Sequence, residues 1–179
     1  MQIHQEEFVV LRPSMPDASP YTPEVRGDPR LALAAQMLSC HGEIRLELRG
    51  ASMLPTLWPG DLLTIKSVAH DEIVPGDVVL VMRDNRFFAH RLIKKQQDRD
   101  CLLWVTKGDA VPQNDAPVAP SELLGRVVLI GRGNRNFVPG RRVSLLHSAV
   151  ARMLCRWDRA RGLALRMHAV RLQACATHP

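Results

Sequence analysis

Aromatic residues and cysteines are both scarce in this sequence, and each shortage excludes a class of structure. Phe, Trp and Tyr make up only 4% of the 179 residues, so a hydrophobic core must be built mainly from aliphatic side chains. The cysteines lack the spacing of a zinc site or of a secreted disulfide framework. We therefore expect free thiols, no metal site and no cofactor. The four cysteines are Cys40, Cys101, Cys155 and Cys175.

The sequence also lacks a long hydrophobic run. The longest one near the N-terminus, LALAAQML at residues 31–38, is much shorter than the roughly 20 residues that span a bilayer. Residues 1–27 are polar, contain four prolines and show no apolar segment of the kind found in secretory signals. We therefore expect a cytoplasmic protein without a transmembrane segment.

Positive charge is concentrated at the C-terminal end. The net charge is +6, and ten arginines lie at or after Arg132, where the sequence has a single acid, Asp158. A basic amphipathic helix is expected there, which either packs on its own domain or contacts an anionic membrane peripherally. Nucleic-acid binding is not expected, because aromatic residues that could stack on bases are not interleaved. The apolar residues at helical spacing are Leu146, Val150, Met153 and Trp157.

The sequence divides into three segments. We expect residues 1–27 to form a flexible lead-in because of their proline content. Residues 28–140 are expected to form one β-rich domain, and residues 141–179 the basic helical extension. The sequence gives no indication of an oligomeric state.

The predicted domain begins with a helix and continues as short strands. Asp28 and Pro29 are typical of a helix start, and Gly42 of a helix end. The stretch EIRLELR alternates apolar and charged residues, as half-buried strands do. The pattern predicts a mainly β fold of coiled antiparallel sheets, with an N-terminal helix and a helical basic C-terminal tail. Further runs of strand length are DLLTIKSV, GDVVLVMR, FFAHRLIKK, CLLWVTK and LLGRVVLIGR.

The stretch GASMLPTLWPGD contains the first candidate for chemistry, Ser52. Gly50 and Ala51 leave room for a substrate backbone, and Pro55 constrains the course of the loop. A serine hydroxyl becomes a nucleophile when a base takes its proton and hydrogen-bond donors receive the oxyanion. Taken alone, the stretch favours a turn with an incidental serine.

A histidine and two aspartates could supply what this serine needs. His90 lies on a predicted strand, and a neutral imidazole can accept a proton near neutral pH. Asp109 and Asp115 lie in TKGDAVPQND, a polar loop after another predicted strand. A carboxylate can fix the tautomer of a histidine and stabilise its protonated form. Each residue alone is also consistent with a structural role.

Four stretches together resemble the conserved boxes of the type I signal peptidase family. They are SMLPTLWPGD, PGDVVLVM, AHRLIKK and TKGDAVPQND, and they fall within residues 50–131. The resemblance implies the fold shared by signal peptidases and the C-terminal domains of SOS repressors. It also implies that Ser52 is the nucleophile and that His90 replaces the lysine base of most bacterial members. This replacement is typical of the endoplasmic reticulum and archaeal branch.

The resemblance further implies that Asp115 completes a Ser-His-Asp arrangement. Asp109 would shape or support the site, although either aspartate could orient His90. Lys107 belongs to the motif but is not the expected base. The supporting or motif residues implied by the boxes are Met53, Pro55, Gly60, Asp61, Gly76, Asp77, Arg91, Lys107, Gly108 and Asp109.

Two departures from that family affect the expected function. Its members carry a transmembrane anchor, which we do not expect here, and some carry a hydroxyl where this chain has Gly50. We therefore expect a serine endopeptidase that cleaves a leader or signal-like peptide, such as a small intracellular precursor. One alternative is an inactive relative that binds peptides in the same cleft. The other is a self-cleaving regulator, for which the sequence lacks a preceding helix-turn-helix.

Overall fold

The computed structural model describes residues 9–11, 29–98 and 101–141, which form one α-helix, one short 3₁₀ helix and eight β-strands. The predicted helix within residues 141–179 lies outside the described residues, apart from Arg141. The elements are β1 (Val9–Leu11), α1 (Pro29–His41), β2 (Glu43–Leu48), β3 (Leu62–Lys66), β4 (Val78–Arg83), β5 (Arg86–Asp98), β6 (Cys101–Lys107), the 3₁₀ helix (Pro120–Glu122), β7 (Leu123–Arg132) and β8 (Arg135–Phe137).

The strands form one sheet in the order β1-β2-β3-β7-β4-β5-β6, and β8 pairs with β7. All of these pairings are antiparallel. β7 is therefore the strand that joins the early strands β1–β3 to the later strands β4–β6. The predicted mainly β, antiparallel fold with an N-terminal helix is confirmed.

The main hydrophobic core lies between α1 and one face of the sheet. In β2, Ile44, Leu46 and Leu48 are buried, whereas the charged residues between them are exposed or half-buried. This alternation follows from the two-residue repeat of a strand. Leu31, Ala34 and Leu38 of α1 pack into the same core at helical spacing, and Gly42 ends the helix with a φ of 71°.

A second, smaller core lies on the other face of β4 and β5. Phe87 and Ala89 belong to the main core, whereas Val79 and Val81 belong to the second one. Successive side chains of a strand point to opposite faces, so Phe88 and His90 are on the side of the second core. The hairpin between β4 and β5 turns at Asp84 and Asn85, both with positive φ, as two-residue hairpin loops require.

The structure corrects the sequence-based reading at two places. The polar residues QQD follow the predicted strand run FFAHRLIKK and lie outside it, but they form the end of β5 and pair with the start of β6. Residues 9–11, within the predicted lead-in, form β1 and pair with β2. The three-segment division itself stays a prediction. In the described part of the chain, no helix combines the length and apolar composition of a membrane span.

Candidate functional site

Ser52 lies in the loop between β2 and β3, and its neighbours anchor that loop in the main core. Met53 and Leu57 are fully buried there. At the end of the loop, the buried carboxylate of Asp61 accepts hydrogen bonds from the Trp58 amide and from Arg132. Because both its start and its end are fixed, the loop holds the half-buried Ser52 in one place.

His90 reaches Ser52 from β5. Its Nε2 atom lies 2.7 Å from Ser52 Oγ, a hydrogen-bond distance. The residue is 7% exposed and lies opposite Val79 in the β4–β5 ladder. The two residues are 38 positions apart in the sequence, so the fold itself brings them together.

Asp115 contacts the other nitrogen of the same ring. Its Oδ2 lies 2.6 Å from His90 Nδ1 and accepts a hydrogen bond from Thr106 Oγ1, also at 2.6 Å. An ionised carboxylate can only accept hydrogen bonds, so Nδ1 must donate. In the neutral ring, Nε2 is then the acceptor for the hydroxyl of Ser52.

The charge of Asp115 is stabilised where it lies. Burial by itself would raise the pKa of this carboxyl. The hydrogen bond and charge of His90, the Thr106 hydroxyl and the charge of Arg83 oppose that effect and lower the pKa below its ordinary value. Asp115 therefore carries a negative charge at neutral pH, next to the ring that would become positive.

Arg83 holds the segment that contains Asp115. Its guanidinium donates to the backbone oxygens of Ala116 and Pro117 and forms an ion pair with Glu122. Glu122 also accepts a hydrogen bond from the Ala119 amide at 2.7 Å. The guanidinium thus ties the end of β4 to both ends of residues 116–122, which fixes the segment directly after Asp115.

Asp109 is not a partner of the His90 ring in the structure. Its carboxylate accepts two hydrogen bonds of 2.8 Å from Arg91 and another from Thr56 of the serine loop. The side chains of Asp109 and Arg91 are 4% and 6% exposed, so this is a buried ion pair. Of the two aspartates that the sequence offered as partners of His90, the geometry therefore selects Asp115.

Arg91 also connects the site to more distant parts of the chain. One of its nitrogens donates to the backbone oxygens of Gly76 and Gly140, each at 2.7 Å. Asp77 accepts hydrogen bonds from the Val74 amide and from Arg141. These contacts join the residues just before β4 to residues 140–141.

The motif residues Gly60, Pro55 and Lys107 contribute backbone conformation, backbone hydrogen bonds or strand pairing around the site. Gly60 has a φ of 89°, a conformation that favours glycine, and its amide donates to Leu48 O at 2.7 Å. Pro55 O accepts a hydrogen bond from the indole of Trp58. Lys107 pairs with Arg91 in the β5–β6 ladder.

Thr106 and Arg83 contribute contacts that the sequence reasoning missed. Thr106 is next to Lys107 at the end of β6, and the fold brings it against Asp115 through a backbone and a side-chain hydrogen bond. Arg83 is 32 positions before Asp115 and directly follows the box PGDVVLVM without belonging to it. Within the described ranges, no group of three or more metal-binding side chains occurs.

The arrangement can perform base-assisted nucleophilic chemistry. A hydroxyl, an imidazole and a carboxylate form one hydrogen-bonded chain, in which the carboxylate fixes the tautomer and the ring can take the hydroxyl proton. A family model described as Peptidase S24-like matches residues 16–128 of the chain. Neither a curated protein nor a solved structure gave a match.

Proposed function

From the premise that the chain belongs to the Peptidase S24-like family of serine peptidase-type hydrolases, we propose that it is an active serine endopeptidase. Ser52 is the nucleophile, His90 the general base and Asp115 the group that orients and stabilises the ring. The observation that supports these roles most directly is the continuous chain of contacts at 2.7 Å and 2.6 Å from Ser52 Oγ through His90 to Asp115.

The proposed reaction has two stages. In the first, Ser52 Oγ bonds to the carbonyl carbon of the scissile peptide while its proton moves to His90 Nε2. The carbon–nitrogen bond then breaks, and the same proton passes from Nε2 to the leaving amine. In the second stage, a water molecule attacks the acyl carbon while His90 Nε2 takes a proton from that water. The bond between the acyl carbon and Ser52 Oγ then breaks, and the proton passes from Nε2 to Oγ, which restores the free serine.

The negative charge that develops on the carbonyl oxygen needs hydrogen-bond donors. Gly50 offers no side-chain hydroxyl. We assign this role to the backbone amide of Ser52 together with a neighbouring amide, because fixed donors at such a position stabilise the transition state strongly.

The substrate we propose is an extended leader or signal-like segment of a small precursor peptide. This proposal comes from the likeness of the four sequence boxes to signal peptidases. It names a more specific substrate than membership of the Peptidase S24-like family implies. We also propose, from the sequence, a cytoplasmic enzyme whose basic C-terminal extension contacts anionic membranes peripherally. Sedimentation with vesicles that contain or lack phosphatidylserine tests the membrane contact.

Peptide cleavage by purified variants tests the proposed function. Mixed synthetic peptides are incubated with the wild type, Ser52→Ala or His90→Ala, and the products are identified by mass spectrometry. Both variants should lose nearly all cleavage. The matched controls Ser67→Ala and His41→Ala, which change exposed residues of the same types, should retain it.

The same experiment separates the alternatives. Peptide capture without any product, equal in the wild type and Ser52→Ala, would contradict the enzyme and support a binding protein. Shortening of the chain itself, at a rate independent of protein concentration, would support self-cleavage instead of action on other peptides.

A further inference from the structure

A cavity of about 200 Å³ adjoins the candidate site and has no role in the reaction as described. His90 and Asp115 form part of its wall, so it opens directly beside the groups that would transfer the proton. Much of the remaining wall is apolar and consists of Val81, Phe88, Ala116 and Val118.

The position of the cavity follows from the two faces of β4 and β5. Phe88 and His90 lie on the face that carries the second core. Val81, which pairs with Phe88 across the hairpin, and Val118 belong to that core and are buried. Phe88 is only half-buried and Ala116 is exposed, so these two residues form the accessible side of the cavity.

The polar groups of the wall already have partners within the protein. Arg83, which also lines the cavity, is bound to Glu122 and to two backbone oxygens. Asp115 accepts hydrogen bonds from His90 and Thr106. A charged group that entered would lose water without gaining a dedicated partner, which costs free energy. An apolar group has no hydrogen bonds to water to lose, and it gains contacts with the apolar part of the wall.

The volume is suited to a single side chain. An apolar cavity of roughly 150 Å³ is known to bind benzene, so about 200 Å³ accommodates a phenyl ring or a branched aliphatic group. We propose that this cavity binds one uncharged apolar side chain of the peptide substrate, of the size of leucine, methionine or phenylalanine. The inference rests on the proposed function, because a peptide held at Ser52 for cleavage must pass beside His90.

Two variants change the cavity in opposite directions. Ala116→Trp places a large ring at its exposed side, while the backbone oxygen of residue 116 can still bind Arg83. Phe88→Ala enlarges it. The matched control is Ala69→Trp, since Ala69 is an exposed alanine outside the cavity wall.

The first measurement uses a library of hexapeptides with blocked ends, in which every position is varied, to find the position at which an apolar side chain is preferred. The second compares kcat/KM for two peptides that carry leucine or alanine at that position. The wild type should prefer leucine by about tenfold or more. Ala116→Trp should lower this ratio to about one, Phe88→Ala should shift the preference to larger side chains, and Ala69→Trp should keep the wild-type ratio. A ratio within one preparation does not depend on the fraction of active protein.

Labelling of Ser52 by a fluorophosphonate separates the two ways of failing. If Ser52 is not labelled, the proposed function is wrong. If it is labelled, the inference about the cavity is overturned by a library profile without apolar preference, or by an Ala116→Trp ratio equal to that of the wild type. Labelling without cleavage of any peptide also overturns it, because the library offers apolar side chains at every position.

Discussion

Gly108 packs directly against the backbone of Ser52. A Cβ atom at position 108 would lie 2.7 Å from the carbonyl oxygen of Ser52 and 3.1 Å from its Cβ. The same oxygen accepts a hydrogen bond of 2.7 Å from the Ala110 amide. The loop that follows β6 therefore packs against the backbone of Ser52. Only a glycine at position 108 allows the two backbone segments to come this close.

Gly108→Ala should displace Ser52 relative to His90. A contact of 2.7 Å with a backbone atom must be relieved by movement, and small misplacements of reacting groups can cost about 100-fold in rate. We expect kcat for an ester or peptide substrate to fall by about that factor. Gly131→Ala is the control for loss of a glycine, because Gly131 is not among the glycines with positive φ and a Cβ atom there would lie no closer than 3.5 Å to another strand's backbone. An unchanged kcat in Gly108→Ala would show that this packing does not position the serine.

Asp115→Asn should remove most activity while the chain still folds. The substitution deletes the charge that stabilises a protonated His90 and lets the ring adopt the wrong tautomer. We expect kcat to fall by about 10³- to 10⁴-fold, measured with a peptide or ester substrate. Activity within a few-fold of the wild type would exclude Asp115 from the proposed role.

Asp109→Asn should reduce stability more than catalysis, in contrast to Asp115→Asn. Its carboxylate belongs to a buried ion pair with Arg91, and breaking such a pair costs about 3–5 kcal/mol. We expect a larger loss of unfolding free energy than in Asp115→Asn, measured by urea denaturation, but a smaller loss of kcat in the folded fraction. If Asp109→Asn proved the more damaging to kcat, the assignment of the two aspartates would be reversed.

Arg83 should act on catalysis through Asp115. Arg83→Gln removes the donors that hold residues 116 and 117, so we expect kcat for a small ester to fall by roughly tenfold. In Asp115→Asn the same substitution should have little further effect, because the group it positions is already lost. Arg83→Lys should not restore activity, since a lysine cannot replace the planar fork of donors. Losses that simply multiply in the double variant would indicate a general structural role.

The lowered pKa of Asp115 predicts how stability changes with pH. A carboxyl whose pKa is lower in the folded than in the unfolded state stabilises the fold above its ordinary pKa of 3.8. That contribution disappears as the pH falls through the folded-state pKa. The wild type should therefore be more stable than Asp115→Asn at neutral pH, and the difference should shrink below about pH 4. Urea denaturation of both proteins across this range measures it, and a difference that grew on acidification would contradict the pKa direction.

The sequence predicted much of the strand pattern and the three residues of the candidate site. β6 and β7 have the predicted bounds, because polar and turn-forming residues flank their apolar runs in the sequence. Ser52, His90 and Asp115 were found through their boxes, and the structure brings them together. The resemblance assigned the role to Asp115, but the residues alone could not decide between Asp109 and Asp115, since both lie in one loop and only its path determines which reaches the ring.

The rest depended on contacts between distant parts of the chain. The end of β5 is polar, and its strand conformation comes from pairing Gln96 and Gln97 with Leu103 and Leu102 of β6. β1 has three residues, too few to show a pattern. Arg83 contacts residues more than 30 positions later in the sequence, and no local sequence pattern predicts a contact over that separation.

Covalent labelling of Ser52 by a fluorophosphonate tests the central claim, that His90 activates this hydroxyl. The peptide containing Ser52 should carry the adduct in the wild type, as identified by mass spectrometry after digestion. The labelling rate should fall by about 10²- to 10⁴-fold in His90→Ala and remain at the wild-type level in His41→Ala. Equal labelling rates in His90→Ala and the wild type, or an adduct on a different serine, would contradict the claim.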